Sequence, residues 1–573
     1  MSRAACPVRD GQPRADTMPV SAGTGPGLDT DTIIIGNGPS AMILSYILHG
    51  HIPFYSADPP HPDPLLHAKL QDCPQLLRCD FDALTDHFEA SRFSYSTQAL
   101  PVDVLLDTLV RPNSDTDDTD KHTNIQWRYM PNRAVPHLVF GNSPRPGGQW
   151  TDNPTHASWD IQTLSYAGML SLPGYSFADH HRKTTGKDLP PFTRPTRRQV
   201  ADYLLAYPAA VGIDDVFRCG ENLSGISRTE NGFYVRSHGI RCKHLVLASG
   251  IFSEVIRPSP LLQPLTSLSS TERAPLLVIG SGFSAADVII SAPKDQKIIH
   301  IFRWDPENRP SPLRSCHQQA YPEYAGVYRL MKRAALSAEP QSARRAKSRR
   351  ITSTPFLESR CWDDVYEGLP NTEVIDVHVH GGQATVTFRR SDGSTLTREV
   401  GGLAYTVGRR GSLSYLDNAL LAEVLGSADG AATDAVVSGQ TLRAKATEDL
   451  EVAPDVFIIG SLTGDSLIRF AYGGCVYVAG KLICAYAGED ECTSICSSTS
   501  TPNSGRAPRT PPAVMNGIDG HHGPHVFRES ERHHLDRREE DEALDTESPK
   551  KKQLVPDKPR MSSWWTSLLR MLR

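Results

Sequence analysis

Two glycine-rich turns, each set between a short apolar run and a helical pattern, constrain the fold of this chain more than any other feature. The first, GNGPSA at residues 36–41, follows a buried parallel strand predicted at residues 32–35. In such a turn the first glycine permits the tight bend, and the second lets the backbone approach a pyrophosphate. The helix then points unpaired N–H groups and the positive end of its dipole at the phosphates. The dinucleotide-binding residues predicted here are Gly36, Gly38, Pro39 and Ser40.

An acidic residue is expected about 20 residues after the second glycine of such a turn, where it holds the ribose hydroxyls. Asp58 stands at that spacing, just past a strand predicted at residues 54–57. Ser56 lies two positions earlier and is also placed to bind the ribose. Asp58 is the predicted ribose-binding residue, with Ser56 as the alternative.

The second glycine turn, GSGFSA at residues 280–285, again lies between an apolar run and a helical pattern. The next predicted strand, residues 298–302, is followed by Arg303, where NAD-binding folds place a carboxylate and NADP-binding folds accept a cation. Arg303 is therefore the predicted partner of a 2′-phosphate, although the nearby Asp305 carboxylate would repel that phosphate. The dinucleotide-binding residues predicted in this turn are Gly280, Ser281, Gly282, Ser284 and Ala285.

A single glycine turn is a weak signal, because glycine-rich turns also serve as plain connections between a strand and a helix. Two such turns with the same flanking pattern are much harder to explain by packing alone. The pair predicts two dinucleotides on one chain and electron transfer between them.

Composition and the distribution of apolar residues argue against several other functions. Lys plus Arg is 60 and Asp plus Glu is 65, giving a net charge of -5, which argues against general nucleic-acid binding. The 11 cysteines show no metal-ligand spacing, and no metal site is predicted. The N-terminus lacks the apolar core of a signal peptide, and no apolar run approaches the ~18 residues of a bilayer span, so a cytoplasmic location is predicted.

Several strings resemble one known family, and together they cover most of residues 31–487. The chain resembles the oxidative stress-induced growth inhibitor family, flavoproteins related to flavin-containing monooxygenases. Besides the first turn, the resemblance is carried by HPDPLLHAKL (61–70), PGGQW (146–150), LASGIFS (247–253), IGSGFSAAD (279–287), IFRW (301–304), YPEY (321–324) and GSLTGDSLIRFAYGG (460–474).

The resemblance implies an α/β fold in which a Rossmann-like FAD domain is interrupted by an inserted Rossmann-like NADP domain. It implies that GGQW lies against the flavin, with Trp150 beside the isoalloxazine, although an ordinary turn anchored by an aromatic residue also fits. It also implies that Asp465 binds the ribityl chain, a role compatible with a helix N-cap. The cofactor-binding residues implied in this way are Gly147, Gly148, Gln149, Trp150, Gly250, Gly464 and Asp465.

The activity implied by the resemblance is that of an NADPH-dependent FAD monooxygenase. NADPH would reduce FAD, the reduced flavin would activate O₂ as a hydroperoxide, and one oxygen atom would pass to a small-molecule substrate. No protein side chain is predicted to be catalytic, because the cofactors carry the chemistry. The F-x-G-x-x-x-H signature of class B flavin monooxygenases is absent from residues 150–274, which weakens the predicted coupling of NADP to flavin. The alternatives are a flavin-binding regulatory protein with little turnover and an amine N-hydroxylase.

The predicted organisation follows from this reading and from composition. Residues 31–270 and 401–487 form the FAD domain and residues 271–400 the NADP domain, between a disordered leader at 1–30 and a disordered tail at 488–560. Residues 561–573 form an amphipathic helix suited to a membrane surface or a partner protein. The basic run at 343–350 fits a solvated loop or a nuclear-import signal.

Overall fold

The computed structural model describes residues 28–81, 83–85, 99–113, 122–152, 157–268, 274–338, 355–426 and 434–488. The predicted leader up to residue 27, the basic run at 343–350, the predicted tail and the predicted terminal helix at 561–573 lie outside these ranges. The first strand begins at Thr30, one residue before the predicted start of the FAD domain.

The strands of the described residues fall into two mainly parallel sheets and three smaller antiparallel ones. In chain order they are β1 (Thr30–Ile35), β2 (His51–Tyr55), β3 (Ile125–Tyr129), β4 (His137–Gly141), β5 (Phe217–Cys219), β6 (Ile226–Thr229), β7 (Gly232–Val235), β8 (Ile240–Leu247), β9 (Glu254–Val255), β10 (Leu276–Ile279), β11 (Ile298–Phe302), β12 (Tyr366–Pro370), β13 (Glu373–His380), β14 (Gln383–Arg389), β15 (Thr395–Val400), β16 (Gly402–Tyr405), β17 (Arg409–Ser412), β18 (Val436–Val437), β19 (Glu451–Ala453) and β20 (Val456–Ile458).

The helices connect these strands and cover the two parallel sheets. In chain order they are α1 (Pro39–Leu48), α2 (Pro64–Asp72), α3 (Pro101–Val110), α4 (Ala167–Leu170), α5 (Phe177–Thr185), α6 (Arg197–Val211), α7 (Phe283–Ser291), α8 (Pro322–Ala338), α9 (Pro355–Glu358), α10 (Trp362–Val365), α11 (Asn418–Leu425), α12 (Arg443–Glu448) and α13 (Ala471–Ala487).

The first sheet has the strand order β19-β20-β8-β1-β4-β5, with β7 paired to β8 and β6 to β7. Strands β20, β8, β1, β4 and β5 are mutually parallel, and all six residues of β1 are buried. Burial on both faces explains the continuous apolar run of this strand, because a central parallel strand has no solvent face. Helix α1 returns from the end of β1 and packs against α13.

Helix α13 belongs to the core of the first sheet. With the preceding turn it forms an apolar helix, Ile468–Ala487, that is long and apolar enough to span a membrane by length and composition, contrary to the sequence prediction. However, 61% of its most apolar window is buried inside the protein, where it packs against α1 and α3. Its apolar composition is that of a core helix.

The second sheet has the order β12-β11-β10-β16, and all of its strands are parallel. One face packs against α7 and α8, and the other against the antiparallel sheet β13-β14-β15, whose Val386 and Phe388 share a core with Leu277 and Ile299. Strand β16 extends this sheet to Tyr405, past the predicted boundary at residue 400. The predicted fold class, α/β with two Rossmann-like parallel sheets, is confirmed, because each sheet carries a strand–glycine turn–helix unit at its centre.

Candidate functional site

The first glycine turn (residues 36–41) connects β1 to α1. Gly36 adopts φ 125°, and a Cβ atom there would collide with the carbonyl oxygen of Ala248 at the end of β8. Gly38 caps α1 in an extended conformation without a side-chain hydrogen bond, and a Cβ atom there would meet nothing within 4 Å. Pro39 occupies the first turn of the helix, where its missing N–H costs nothing. The turn therefore presents an open helix N-terminus, the arrangement that binds phosphate.

A cavity of about 440 Å³ opens at the carboxyl edge of the first sheet, in front of this turn. Its volume lies in the range of small-molecule and cofactor sites, roughly 300–1,000 Å³. The cavity brings together residues from distant parts of the chain. The predicted site residues that line it are Gly36, Gly38, Pro39, Ser40, Gly147, Gly148, Gln149, Trp150, Gly250 and Asp465.

The GGQW segment forms one wall of the cavity. Gly147 and Gly148 adopt φ 112° and φ 56°, and Gly148–Trp150 form a single helical turn. The N–H of Gly147 donates to the carbonyl of Asn37 at 2.9 Å, and a Cβ atom on Gly148 would lie 3.3 Å from Cα of Gly38. The two glycines therefore let this segment lie directly on the first glycine turn.

The opposite wall comes from the ends of β8 and β20. Gly250 adopts φ 71°, and a Cβ atom there would lie 3.2 Å from Oγ of Ser461. That hydroxyl also accepts the N–H of Ile251 at 3.2 Å. Gly460, with φ 68°, packs so closely on Ser40 that a side chain would meet the serine hydroxyl at 2.5 Å. The ends of three parallel strands thus converge on the N-terminus of α1.

Asp465 is the buried charged group of this wall. Its Oδ1 accepts the N–H of Leu467 at 2.9 Å, whereas its Oδ2 is buried with no hydrogen-bond partner among the described residues. Burial raises the pKa of Asp465 to about 6, while Arg443 and Arg469 act to lower it. Gly464 is not part of the lining; its φ of 102° makes the turn that aims Asp465 at the cavity. An orphaned buried carboxylate oxygen is costly and calls for a donor.

A buried ionic cluster lies behind Asp465. Asp107 of α3 accepts from both Arg111 and Arg469, and these two guanidinium groups hold its pKa below the usual range although burial acts to raise it. Asp103, one turn earlier, accepts the N–H of Gly474 at 2.7 Å, and burial raises its pKa well above the usual range. The cluster ties α3 to α13 and fixes the segment that carries Asp465.

The second glycine turn (residues 280–285) repeats this geometry between β10 and α7. Gly280 adopts φ 149°, and a Cβ atom there would collide with the carbonyl oxygen of Thr406 at the end of β16. Gly282 caps α7 in an extended conformation, again with no side-chain hydrogen bond, and a Cβ atom there would meet nothing within 4 Å. Ser281, Ser284 and Ala285 surround this helix start, with Ala285 buried against the sheet.

Arg303 follows the last residue of β11, the strand next to β10. Its side chain is exposed and makes no ion pair with any described residue. Asp305 accepts the N–H of Asn308 at 3.1 Å and forms no ion pair with Arg303. The structure therefore places a free cation at the carboxyl edge of the second sheet, beside the second glycine turn.

The structure does not bring Asp58 or Ser56 to the cavity in front of the first turn. Strand β2, which precedes them, pairs antiparallel with β3 outside the first sheet, so the place beside β1 is taken by β4. Asp58 is exposed, and the Ser56 hydroxyl donates to its carbonyl at 3.4 Å. The spacing rule therefore points to two residues that do not line the cavity, because spacing along the chain does not reveal which strand lies next to β1.

Several lining residues have no signal in the sequence. Asn37 lies within the first turn, and its amide donates to the carbonyls of Ser143 and Arg145 at 2.9 and 3.2 Å. Glu221 reaches the cavity from the end of β5, and Arg409 from β17. Only the strand order places these side chains together, although the position of Asn37 between two glycines could have drawn notice.

Two curated proteins are similar to this chain over most of its length. The oxidative stress-induced growth inhibitor 1 of Mus musculus is 27% identical over 504 residues, covering 79% of this chain and 94% of the mouse protein. The human protein of the same name is 26% identical over 502 residues, with the same coverage. The chain is therefore similar to the oxidative stress-induced growth inhibitors over most of its length. The Caenorhabditis elegans homolog of these growth inhibitors is 26% identical over 344 residues, 53% of this chain and 72% of its own length. No family model matches the chain.

The solved structures that resemble this chain are more distant in sequence. The flavin-containing monooxygenase of Stenotrophomonas maltophilia has a TM-score of 0.41 at 14% identity, covering 80% of this chain and 99% of its own. The L-lysine 6-monooxygenase of Pseudomonas syringae has a TM-score of 0.41 at 13% identity, covering 81% of this chain and 100% of its own.

Proposed function

We propose that the chain is an FAD-dependent, NADPH-oxidising monooxygenase that acts on a small-molecule substrate with O₂. The observation that carries the proposal is the pair of matching glycine turns, each of which presents an uncapped helix N-terminus at the carboxyl edge of its own parallel sheet. Dinucleotides bind at this edge in open parallel sheets. One dinucleotide would accept electrons and the other would donate them.

The residues of the first turn and its cavity fit FAD. The helix start at Gly38 would receive the pyrophosphate, because no side chain caps its N–H groups and the space beside Gly38 is open. The orphaned Oδ2 of Asp465 would accept a hydroxyl of the ribityl chain, which supplies the missing donor. Trp150 would offer apolar surface beside the ring system.

The residues of the second turn fit NADPH. Its helix start at Gly282 would receive the second pyrophosphate, and Arg303 would pair with the 2′-phosphate. No carboxylate follows β11 directly, so nothing at that position competes for the cation.

Bound FAD would supply the redox chemistry, taking a hydride from NADPH and passing electrons to O₂. The chain itself would orient the reactants and exclude water. The antiparallel strands β9 and β17 bring residues 252–254, Arg409 and Ser412 to the cavity lining, and Arg409 donates to the carbonyl of Phe252 at 3.0 Å. Arg197 of α6 donates to the carbonyls of Gln149 and Asp152 at 2.6 and 2.8 Å, which fixes the GGQW wall.

The test uses the full chain and two matched tryptophan variants. The purified wild type should show bound flavin, bleach with NADPH in the absence of O₂, and consume O₂ on re-aeration. Gly38→Trp should lose flavin because the indole would fill the open space at the first helix start. Gly282→Trp should keep flavin and lose bleaching by NADPH. Wild-type protein that stays colourless after incubation with FAD would overturn the proposal.

A second candidate function is a flavin-binding regulatory protein with little turnover. The names of the curated relatives, which refer to growth inhibition, favour it. The same experiment separates the two functions, since a regulatory protein would bind flavin without O₂ uptake. An amine N-hydroxylase would consume O₂ and NADPH and would be recognised by its hydroxylated amine product.

A further inference from the structure

Strand β4 lies beside β1 in the first sheet as β11 lies beside β10 in the second sheet. The N–H of Gly36 donates to the carbonyl of Phe140 in β4 at 2.6 Å, just as the N–H of Gly280 donates to Ile301 in β11 at 3.0 Å. Asn142 lies two residues after Phe140, as Arg303 lies two residues after Ile301, so Asn142 is the counterpart of Arg303 in the first site. The adenosine ribose of a dinucleotide on the first turn therefore belongs beside the end of β4.

The end of β4 itself carries no acid. Gly141 is its last residue, and a Cβ atom there would collide with the side chain of Asn37. That asparagine is held in place by its bonds to Ser143 and Arg145 and by a contact of 3.4 Å to Sγ of Cys219. The engaged amide of Asn37 thus leaves no room for a side chain at Gly141, and the next residue, Asn142, carries no carboxylate.

Glu221 supplies a carboxylate one strand further out. Its N–H donates to the carbonyl of Gly141 at 3.1 Å, which fixes it at the end of β4, and it lines the cavity. His238, in the turn between β7 and β8, contacts its Oε2 at 3.1 Å, and the histidine ring packs edge-on to Phe140. The other oxygen, Oε1, has no hydrogen-bond partner among the described residues.

The cavity has two ends, and Glu221 marks one of them. Asp465, the buried carboxylate of the lining, lies on the far side of β1, with the ends of β8 and β20. A dinucleotide centred on the helix start at Gly38 would therefore extend one half toward Asp465 and the other toward Glu221.

We infer that Glu221, positioned by His238, binds the ribose hydroxyls of the adenosine half of FAD in place of the acid at the usual strand end. The inference rests on the proposed function for the identity of the dinucleotide. Glu221 accepts from the two ribose hydroxyls, and His238 holds the carboxylate toward the cavity. Glu221 therefore recognises the adenosine half of FAD and does not contact the ring system.

The experiment compares FAD with FMN, which lacks the adenosine half, by equilibrium dialysis against the full chain. Glu221→Gln should raise the Kd for FAD about 10- to 100-fold, the range expected for lost hydrogen bonds to a charged group, and leave the Kd for FMN unchanged. His238→Ala should shift the FAD value in the same direction by a smaller factor and also spare FMN. A merely structural role would weaken both flavins together.

Glu230→Gln is the matched control, because this glutamate is exposed in the turn between β6 and β7 and does not line the cavity. It should bind both flavins like the wild type. An unchanged Kd for FAD in Glu221→Gln, or an equal loss of FAD and FMN, would overturn the assignment while leaving flavin binding by the wild type intact. Wild-type protein that binds neither flavin would instead defeat the proposed function, and this assignment with it.

Discussion

The two glycine turns have the same local geometry and different surroundings. In each turn the N–H of the first glycine donates to the strand on one side, β4 or β11. On the other side there is no room for a side chain, because Gly36 lies against Ala248 and Gly280 against Thr406. In the second turn the neighbouring strand β11 follows α7 directly along the chain, whereas in the first turn β4 follows only after β2, β3 and the helices between them. Local sequence therefore specifies the phosphate site, and sheet order specifies the ribose site.

The largest expected effect is on the free energy of unfolding, where the two glycines of the first turn should differ. Gly36→Ala should lower the free energy of unfolding by about 3 to 6 kcal/mol, because it combines a strained φ with a collision against backbone. Gly38→Ala should lower it by no more than about 1 kcal/mol, the cost of alanine at an N-cap, since its conformation is extended and its Cβ would face open space. Thermal unfolding followed by circular dichroism measures both.

The same contrast should hold in the second turn between Gly280→Ala and Gly282→Ala. Equal destabilisation by the two substitutions in either turn would show that the close approach to Ala248 or Thr406 does not shape that turn.

Much of this architecture could be predicted from the sequence. Both strand–turn–helix units, and strand β11 with Arg303 after it, lie where pattern and spacing put them. The strand order around the first turn could not be predicted, because Asp58 satisfies the spacing rule but follows β2, which pairs with β3 outside the first sheet. Glu221 follows the short strand β5 and Arg409 begins the short strand β17. The place of each strand in a sheet depends on long-range pairing, and no local pattern records that pairing.

The next prediction concerns the flavin end of the first site. Asp465→Asn should raise the Kd for FAD about 10- to 100-fold, because the amide replaces the ionised acceptor by a donor at the orphaned position. Burial raises the pKa of Asp465 to about 6, with Arg443 and Arg469 opposing and Asp107 adding to that rise. The ionised form is the stronger acceptor, so the wild type should bind FAD more weakly as the pH falls through about 6.

Asp465→Asn should abolish that pH dependence, since an amide does not titrate. FAD titrations between pH 5 and 8, about the range on either side of the shifted pKa, test it. A variant whose affinity still follows pH in the wild-type manner would assign the titration to another group, such as the neighbouring Asp103.

A smaller effect is expected at the second site, where the charged group is exposed to solvent. Arg303→Ala should raise KM for NADPH about 10-fold and leave KM for NADH unchanged, because only NADPH carries the 2′-phosphate. Steady-state oxidation of the two nucleotides measures the difference. Arg182→Ala, an exposed arginine of α5 paired with Asp188, is the matched control and should change neither KM. Parallel loss with both nucleotides would remove Arg303 from the phosphate site.

The smallest effect on FAD binding is expected at Asp58, which the spacing rule assigns to the ribose and which lies outside the cavity. Asp58→Asn should change the Kd for FAD by less than about twofold, because exposed substitutions away from a site are usually worth no more than about 0.5 kcal/mol. Equilibrium dialysis with FAD measures this change against the larger shift expected for Glu221→Gln. A loss of FAD affinity in Asp58→Asn that equals the loss in Glu221→Gln would mean that β2 approaches the bound dinucleotide despite its pairing with β3. Spacing along the chain would then outweigh strand order in locating the ribose.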